Sequence, residues 1–450
     1  MTVFHEYQTI CSSSEKELFD WLESQVEKPF VNEFIDKTED LDNDEDLTCW
    51  IKRRPSGKRS LQLTGYVGTV PVDARSFIEI LPKVRLGSAN SDAEDKQKLV
   101  EMVCALMEEV SHIPFGDDTI HVQEQATIFE KLIELFLKDV LKLVQYGLAC
   151  HYVQVEENIP YLKGKILFGE QLRKNMGLSH RFYTQHDEFL PDRLENRIIK
   201  LALLTVRRYS KNKGHLRLIN KLLTPFSMVS SQIHTSDLKN TYCDREMRYY
   251  RKVLKWAEII LMNMSPLLFR TETHELKLPS LLFPMYRLFE AHVYKQLKQK
   301  YGGDLIFYSQ DRSKKLFEQI DSGVKIKNPT LRPDVVVKQH GKVVAVMDTK
   351  WKVLSSKNLK FSSSDLYQMY VYGKKFFTNQ SGSIFLIYPK NPSFKKLLGP
   401  FVFESSPHLK LFVAPFDFDK NDLILSSYEL KSLILTNSRL EFSVDCGQIP

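Results

Sequence analysis

Leu331-Arg332-Pro333-Asp334-Val335-Val336-Val337 and, a few residues on, Gly341-Lys342-Val343-Val344-Ala345-Val346-Met347-Asp348-Thr349-Lys350 are two apolar, β-branched runs joined through Gln339-His340-Gly341. Such residues favour strands, and a short Gly-containing connection closes a hairpin, so the pair predicts two antiparallel strands. Asp334 then falls near the start of the first strand and Asp348 near the end of the second, and antiparallel pairing puts those ends side by side. Two carboxylates with Lys350 beside them suit metal-dependent phosphodiester hydrolysis. Carboxylate oxygens are the ligands Mg²⁺ prefers. A neighbouring ammonium can activate the attacking water or stabilise the charge that builds on the phosphate. As a bare pattern, Pro-Asp followed by Asp-x-Lys is short and arises by chance; the strand context gives it weight.

Two flanking stretches fit the same site. Ser362-Ser363-Ser364 followed by Asp365 offers helix-start chemistry, and Leu366 to Phe377 predicts a helix with Gln368 and Tyr372 one turn apart on one face. Upstream, Pro284 to Lys300 predicts a helix with Leu288, Phe289, Val293 and Leu297 as its apolar stripe. Glu290 sits beside that stripe, and spacing alone leaves open whether it faces the site or solvent.

The wider chain is a multidomain α+β protein, in which mixed β and helical N-terminal and middle regions precede an α/β core. The expected parts are a β-rich module over 1–115, a mainly helical region over 116–275 and the site-bearing domain over 276–450. Strands are expected over Leu61–Val70 and Ser76–Leu81, near Tyr152–Val155, and at Asp304–Ser309 and Ser383–Tyr388. Helices are expected over Glu15–Val26, Ile128–Val144 with Gly147 as its stop, Asn196–Tyr209 and Asp244–Met262.

Composition permits more than it decides. The 450 residues are 43% hydrophobic, enough for sizeable cores, and Lys+Arg exceed Asp+Glu by 63 − 56 = 7, which allows nucleic-acid contact without demanding it. Cys11, Cys49, Cys104, Cys150, Cys243 and Cys446 are scattered without a C-x-x-C pair, so no zinc or iron–sulfur site is indicated. With no signal peptide and no long apolar span, a cytoplasmic protein with free thiols and no membrane association is expected. The acidic run Glu39–Asp46 lacks the glycine and the glutamate of a calcium loop and reads as a solvated loop. Lys52–Arg59 reads as an exposed hairpin or a basic element that contacts a partner. Arg207–Lys213, with His215 and Arg217, reads as a solvated helix end or a phosphate-tracking surface. No G-x-x-x-x-G-K-[ST] occurs, so nucleotide-driven work would fall to another polypeptide.

The order Glu290, Asp334, Asp348-Thr349-Lys350, Gln368-Met369-x-x-Tyr372 resembles the PD-(D/E)XK nuclease superfamily, in its RecB-like branch with a Gln-x-x-x-Tyr helix. Tyr286-x-Leu288-Phe289-Glu290, Leu331-Arg332-Pro333-Asp334 and Asp348-Thr349-Lys350-Trp351-Lys352 are similar to the McrC family, the nuclease subunit of McrBC-type modification-dependent restriction systems. Gly65–Gly68 with Ile78–Lys83, Glu156–Lys165, Asp187-Glu188-Phe189 and Glu195-Asn196-Arg197 extend the likeness over most of the chain. The resemblance implies an α/β PD-(D/E)XK core and Mg-dependent endonuclease activity on modified foreign double-stranded DNA. By the same resemblance, Asp334 and Asp348 bind Mg²⁺ (or Mn²⁺), with Glu290 and the Thr349 carbonyl completing the shell. Lys350 handles the water or the developing charge, and Gln368 and Tyr372 position the lysine and substrate. It also implies a McrB-like AAA+ GTPase hexamer as partner, which binds the GTP and is stimulated by this chain. McrC proteins reach into that ring with an N-terminal projection, which makes Lys52–Arg59 a candidate contact. Two rival readings stay open: a catalytically inactive adaptor of an AAA+ motor, and a stand-alone structure-specific DNA nuclease.

Overall fold

In the computed structural model His340 and Gly341 take φ of 48° and 79°, the left-handed pair that a two-residue hairpin turn requires. The model describes residues 2–11, 16–24, 26, 50–54, 60–72, 77–87, 91–113, 115, 127–234, 237–238, 247–264, 280–317, 329–354, 361–378, 380–425 and 430–438. The turn joins Val335–Gln339 to Lys342–Thr349 in antiparallel register, with Val335 opposite Met347 and Gln339 opposite Lys342. Ile306–Ser309 pairs antiparallel outside the first strand. Gly382–Pro389 and then Ser406–Asp417 add in parallel beyond the second, and Leu398–Phe403 closes that side. Asp422–Leu423 also pairs with Ser406–Asp417, which makes a mixed seven-stranded sheet.

Both faces of this sheet are covered, which is why its central strands read as unbroken apolar runs. Val335, Val337, Ala345, Met347, Phe385 and Ile387 join one core with Leu288, Phe289, Val293 and Leu297 of the helix Met285–Tyr301. Val336, Val346, Ile384 and Leu386 join a second core with Met369, Tyr372 and Phe376 of the helix Ser363–Phe377. Since side chains alternate along a strand, Asp348 and Lys350 share the face of Val346, on the side of the Ser363–Phe377 helix.

The N-terminal region builds two smaller sheets. In one, Thr2–His5, Phe77–Leu81, Tyr66–Pro71 and Leu281–Pro284 lie side by side. The last of these comes from the expected 276–450 segment, so the first and third parts of the chain share a sheet. Gly68 permits that pairing: its φ is +134°, and a Cβ there would lie 2.0 Å from the Leu281 carbonyl oxygen. In the other, Ser60–Leu63 sits between Thr9–Cys11 and Ile51–Arg53. The helix Asp92–Ser111 starts at Ser91, whose hydroxyl accepts the Glu94 N–H at 3.2 Å, and packs on Met285–Tyr301. Ile128–Tyr146 starts likewise at Thr127 and ends at Gly147, as its sequence predicts. Arg248–Met264 packs against it and in turn carries Leu194–Tyr209.

Three expectations change. Leu61–Val70 is two strands, because the chain turns at Thr64-Gly65 and its halves join different sheets. The middle region holds more β-structure than expected: His151–Ile159, Phe182–Leu190 and Lys165–Ile166 form a three-stranded sheet. Phe182–Leu190 carries His186, Asp187 and Glu188, and few of its side chains are buried. Backbone pairing with His151–Ile159 holds it, and hydropathy alone does not reveal that. Finally, Ser406–Asp417, unassigned in the sequence reading, is a central strand with a nearly continuous buried run.

Candidate functional site

The hairpin delivers its two carboxylates to one place. One Asp334 oxygen accepts both the Thr349 backbone N–H and the Thr349 hydroxyl at 2.6 Å. Those two bonds fasten the start of the first strand to the end of the second, beside the buried Asp348. Lys350 Nζ lies 2.7 Å from Asp348 Oδ2. Burial first, then the neighbouring Asp334 carboxylate, pushes the Asp348 carboxyl up to about 7, against the pull of Lys350. Burial works against the Lys350 charge, but Asp348 and Asp334 outweigh it and hold the ammonium above its ordinary value.

Glu290 lies in the site wall, not in solvent. It is buried, and its carboxylate takes Arg287 Nη1 at 2.5 Å and the Gln310 amide at 2.5 Å. Burial, and next the Asp334 charge, raise its carboxyl well above the ordinary value despite Arg287. Gln310 organises this corner. It is a non-glycine residue at φ 47°, its backbone N–H bonds the Asp334 carbonyl at 2.9 Å, and its amide oxygen accepts Arg332. Residues held in that region commonly mark functional sites. Glu109, from the distant helix Asp92–Ser111, completes the cluster. Burial first raises its carboxyl, Asp334 adds to the rise, and Arg287, Ser309 and Arg332 oppose it.

The Ser363–Phe377 helix brings Gln368 and Tyr372 to the site, joined by an amide-to-hydroxyl bond of 2.9 Å. Burial, then the Asp348 carboxylate, holds the Tyr372 hydroxyl above its ordinary range. Asp365, read from sequence only as helix-start chemistry, is buried; it accepts Lys352 Nζ at 2.9 Å and the Tyr388 hydroxyl at 3.2 Å. The structure thus brings together the hairpin acids, the lysine and the Gln/Tyr pair named from the sequence. The sequence reading missed Glu109, Gln310, Arg332 and the role of Asp365. Arg287 carried a visible signal, three residues before Glu290 on one helix.

Behind Lys350 the N-terminal module closes in. Glu6 Oε2 accepts the Trp351 indole N–H at 2.9 Å and the Lys83 backbone N–H at 3.0 Å, and Lys83 Nζ donates to the Trp351 carbonyl at 3.3 Å. Burial pushes the Glu6 carboxyl from an ordinary 4.5 to about 7, opposed by Lys83. A carboxyl raised on folding contributes stability below its unfolded value and loses it as pH climbs through the folded value. Between pH 4.5 and 7 that loss reaches about 3 kcal/mol at most. Glu6→Gln, which cannot ionise, is expected to be more stable than the parent at pH 8 by up to that amount, with the gap closing at pH 4. Denaturant unfolding at the two pH values measures it, and an equal gap at both contradicts the assignment.

Among the described residues, no three His, Cys, Asp or Glu side chains already stand in metal-ligating arrangement. Asp334 and Asp348 are still the donors that suit a divalent cation. They are hard oxygen ligands, and the Asp334 charge pushes the Asp348 carboxyl up, a repulsion that such a charge would relieve. Glu290 has one oxygen on Arg287 and the other on Gln310, so in this state its carboxyl is part of the site wall.

The other sequence candidates that the structure describes lie away from this site. Ser210, the Lys211 and Asn212 backbone N–H groups and His215 all bond the Glu130 carboxylate, so Arg207–Lys213 is a knitted helix junction with Arg207 and Arg208 exposed. Lys52 and Arg53 lie in the Ile51–Arg53 strand, with Arg53 3.9 Å from Glu23. Residues 55–59 and the acidic run 39–46 lie outside the described residues. Among the described residues, an exposed aromatic pair stands on the middle sheet: Tyr152 and Phe189, 74% and 61% exposed, have ring centroids 5.0 Å apart. No helix among the described residues is long and apolar enough to cross a membrane.

The fold, a mixed sheet joined to an N-terminal β module, has a solved counterpart. A chain of the Thermococcus gammatolerans assembly of McrB AAA+ hexamers with bound McrC superimposes with a TM-score of 0.62 at 20% identity, covering 94% of this chain and 96% of that one. In sequence, the type IV methyl-directed restriction enzyme EcoKMcrBC of Escherichia coli (strain K12) is 24% identical over 269 residues, 56% of this chain and 74% of the relative. Residues 61–389 match the family described as McrBC 5-methylcytosine restriction system component, and the chain belongs to that family.

Proposed function

We propose that this chain is the endonuclease subunit of a McrBC-like complex and cleaves methylated double-stranded DNA by Mg²⁺-dependent phosphodiester hydrolysis. In this reading an AAA+ GTPase ring binds the GTP and is stimulated by the chain. The observation that carries it is the Asp334–Asp348–Lys350 cluster, with Asp348 buried and its two neighbours half-buried, at the end of two paired strands in a chain of this family. The flanking Glu290 and the Gln368–Tyr372 pair complete the pattern of a PD-(D/E)XK core.

Asp334 and Asp348 would hold the Mg²⁺, with the Thr349 carbonyl as a further ligand. When bound, the ion supplies an activated water and charge neutralisation at the phosphate. Lys350, kept charged by both aspartates, is placed to stabilise the anionic transition state. Thr349 fixes Asp334, and Gln368 orients the Tyr372 hydroxyl beside the acid pair. Arg287 and Gln310 hold the Glu290 carboxyl in the wall beside Asp334.

The test uses the chain with its motor, GTP and methylated DNA. Cutting is expected to require Mg²⁺ or Mn²⁺, and Asp334→Ala to lose it at every Mg²⁺ concentration. Persistent cutting in EDTA, or by Asp334→Ala, removes the metal assignment. Full GTPase stimulation by a parent chain that never cuts points to the adaptor reading.

The motor-facing surface we assign to the middle sheet, not to Lys52–Arg59, because exposed paired aromatics are typical interface anchors. Tyr152→Ser combined with Phe189→Ser is expected to weaken association with the ring about tenfold or more. Unchanged co-purification and GTPase stimulation would rule that surface out.

A further inference from the structure

We propose that Glu6 and Lys83 are positioning residues for Lys350 and act through Trp351. The proposal rests on the reading of Lys350 as part of the cutting centre. The Lys350 backbone N–H makes the last bond of its strand, to the Ile387 carbonyl at 2.8 Å. The chain then leaves the sheet, and residues 351–354 have no ladder to hold them. Trp351 is fixed instead by packing and by two polar anchors. Its ring is buried, with centroids 5.3 Å from Phe289 and 6.3 Å from Phe418. Its indole N–H goes to Glu6 and its carbonyl takes the Lys83 ammonium, at 2.9 and 3.3 Å.

Glu6 is itself well held. Its backbone N–H bonds the Leu81 carbonyl at 2.9 Å, and its carboxylate takes the Lys83 N–H. The two residues sit at the ends of adjacent paired strands, Thr2–His5 and Phe77–Leu81, so they move as one piece. A rigid sheet more than 260 positions upstream thus grips both polar ends of the residue after Lys350. A residue clamped at its side chain and its carbonyl fixes where the preceding backbone exits the strand, and hence where the Lys350 ammonium points. Displacing a catalytic group by about 1 Å can cost on the order of a hundredfold in rate. Gripping the sheet merely to dock the N-terminal module would need only one of these contacts, and packing of Phe289 against Trp351 would suffice for burial.

The experiment measures DNA cutting, GTPase stimulation and thermal unfolding of the motor-bound complex. The variants are Glu6→Leu, Glu6→Gln, Lys83→Met and Trp351→Phe, with Lys350→Ala as reference. Trp351→Phe removes the indole N–H and leaves a smaller aromatic ring in the same place, so its thermal unfolding is read beside its rate. Glu6→Leu, Lys83→Met and Trp351→Phe are expected to lower kcat for cutting about 10–100-fold, the range typical of groups that orient a catalytic residue. The DNA concentration for half-maximal rate and the GTPase stimulation should stay unchanged. Glu6→Gln, which keeps an oxygen for Trp351 and Lys83, should cut close to the parental rate. Should Glu6→Leu fail to fold, Trp351→Phe decides. Parental cutting by Trp351→Phe and Lys83→Met overturns the proposal, as does a joint loss of cutting and GTPase stimulation, which would mean module docking alone. If Lys350→Ala itself cuts normally, the site assignment has failed and not the clamp.

Discussion

Lys350→Ala is expected to reduce DNA cutting by the motor-bound complex by more than about a thousandfold, while GTPase stimulation stays intact. The separation follows from geometry. Lys350 sits between Asp348 and the N-terminal clamp, whereas the exposed aromatics assigned to the motor lie on the middle sheet. The ammonium is the cation that counters the acid pair from within the hairpin itself. Without it, the Asp348 carboxyl, already up to about 7, rises further, because burial and Asp334 then act unopposed. Any residual cutting should therefore shift toward higher pH, where Asp348 regains its charge. Asp348→Ala should be equally inactive, with no such recovery at high pH. The check is a time course of methylated-plasmid cleavage from pH 7 to 9 alongside GTP turnover. Parental cutting by either variant would place the chemistry elsewhere on the chain.

Much of this site was legible because it is local in sequence. The hairpin is written in two unbroken β-branched runs and a His-Gly turn, and its register follows from the turn length. The Gln368–Tyr372 pair needed only helical spacing. What was not legible comes from packing between distant elements. Glu109 reaches Asp334 because its helix lies along Met285–Tyr301, and Glu6 reaches Trp351 through a strand pairing near the N-terminus. Neither contact leaves a periodic mark. Leu281–Pro284 carried no sign that it would complete a sheet begun at Thr2, since four apolar residues fit either neighbour. The middle sheet escaped notice because its strands bury few side chains.

Arg287→Met is expected to lower the unfolding free energy at pH 8 by about 3–5 kcal/mol, the usual cost of removing one partner from a buried ion pair. The reason is the company Arg287 keeps. Its guanidinium is buried, lies 2.5 Å from Glu290, and also faces Glu109. Remove it, and burial, Asp334 and Glu109 raise Glu290 while burial and Asp334 raise Glu109, with the Gln310 amide, Ser309 and Arg332 left to oppose them. The sign of the pH dependence follows. Glu290 already titrates above its ordinary value, and loss of Arg287 raises it more, so the variant takes up protons on folding. Its stability deficit should be largest above neutral pH and shrink as pH falls, because protonation removes the repulsion. Adding Glu290→Gln should restore much of the loss at pH 8, since a neutral amide needs no cation and can still bond Gln310. A denaturant series on the parent, both single variants and the double variant gives the coupling energy directly. A coupling near zero would mean that Arg287 supports the helix by packing and leaves the charge of the site untouched.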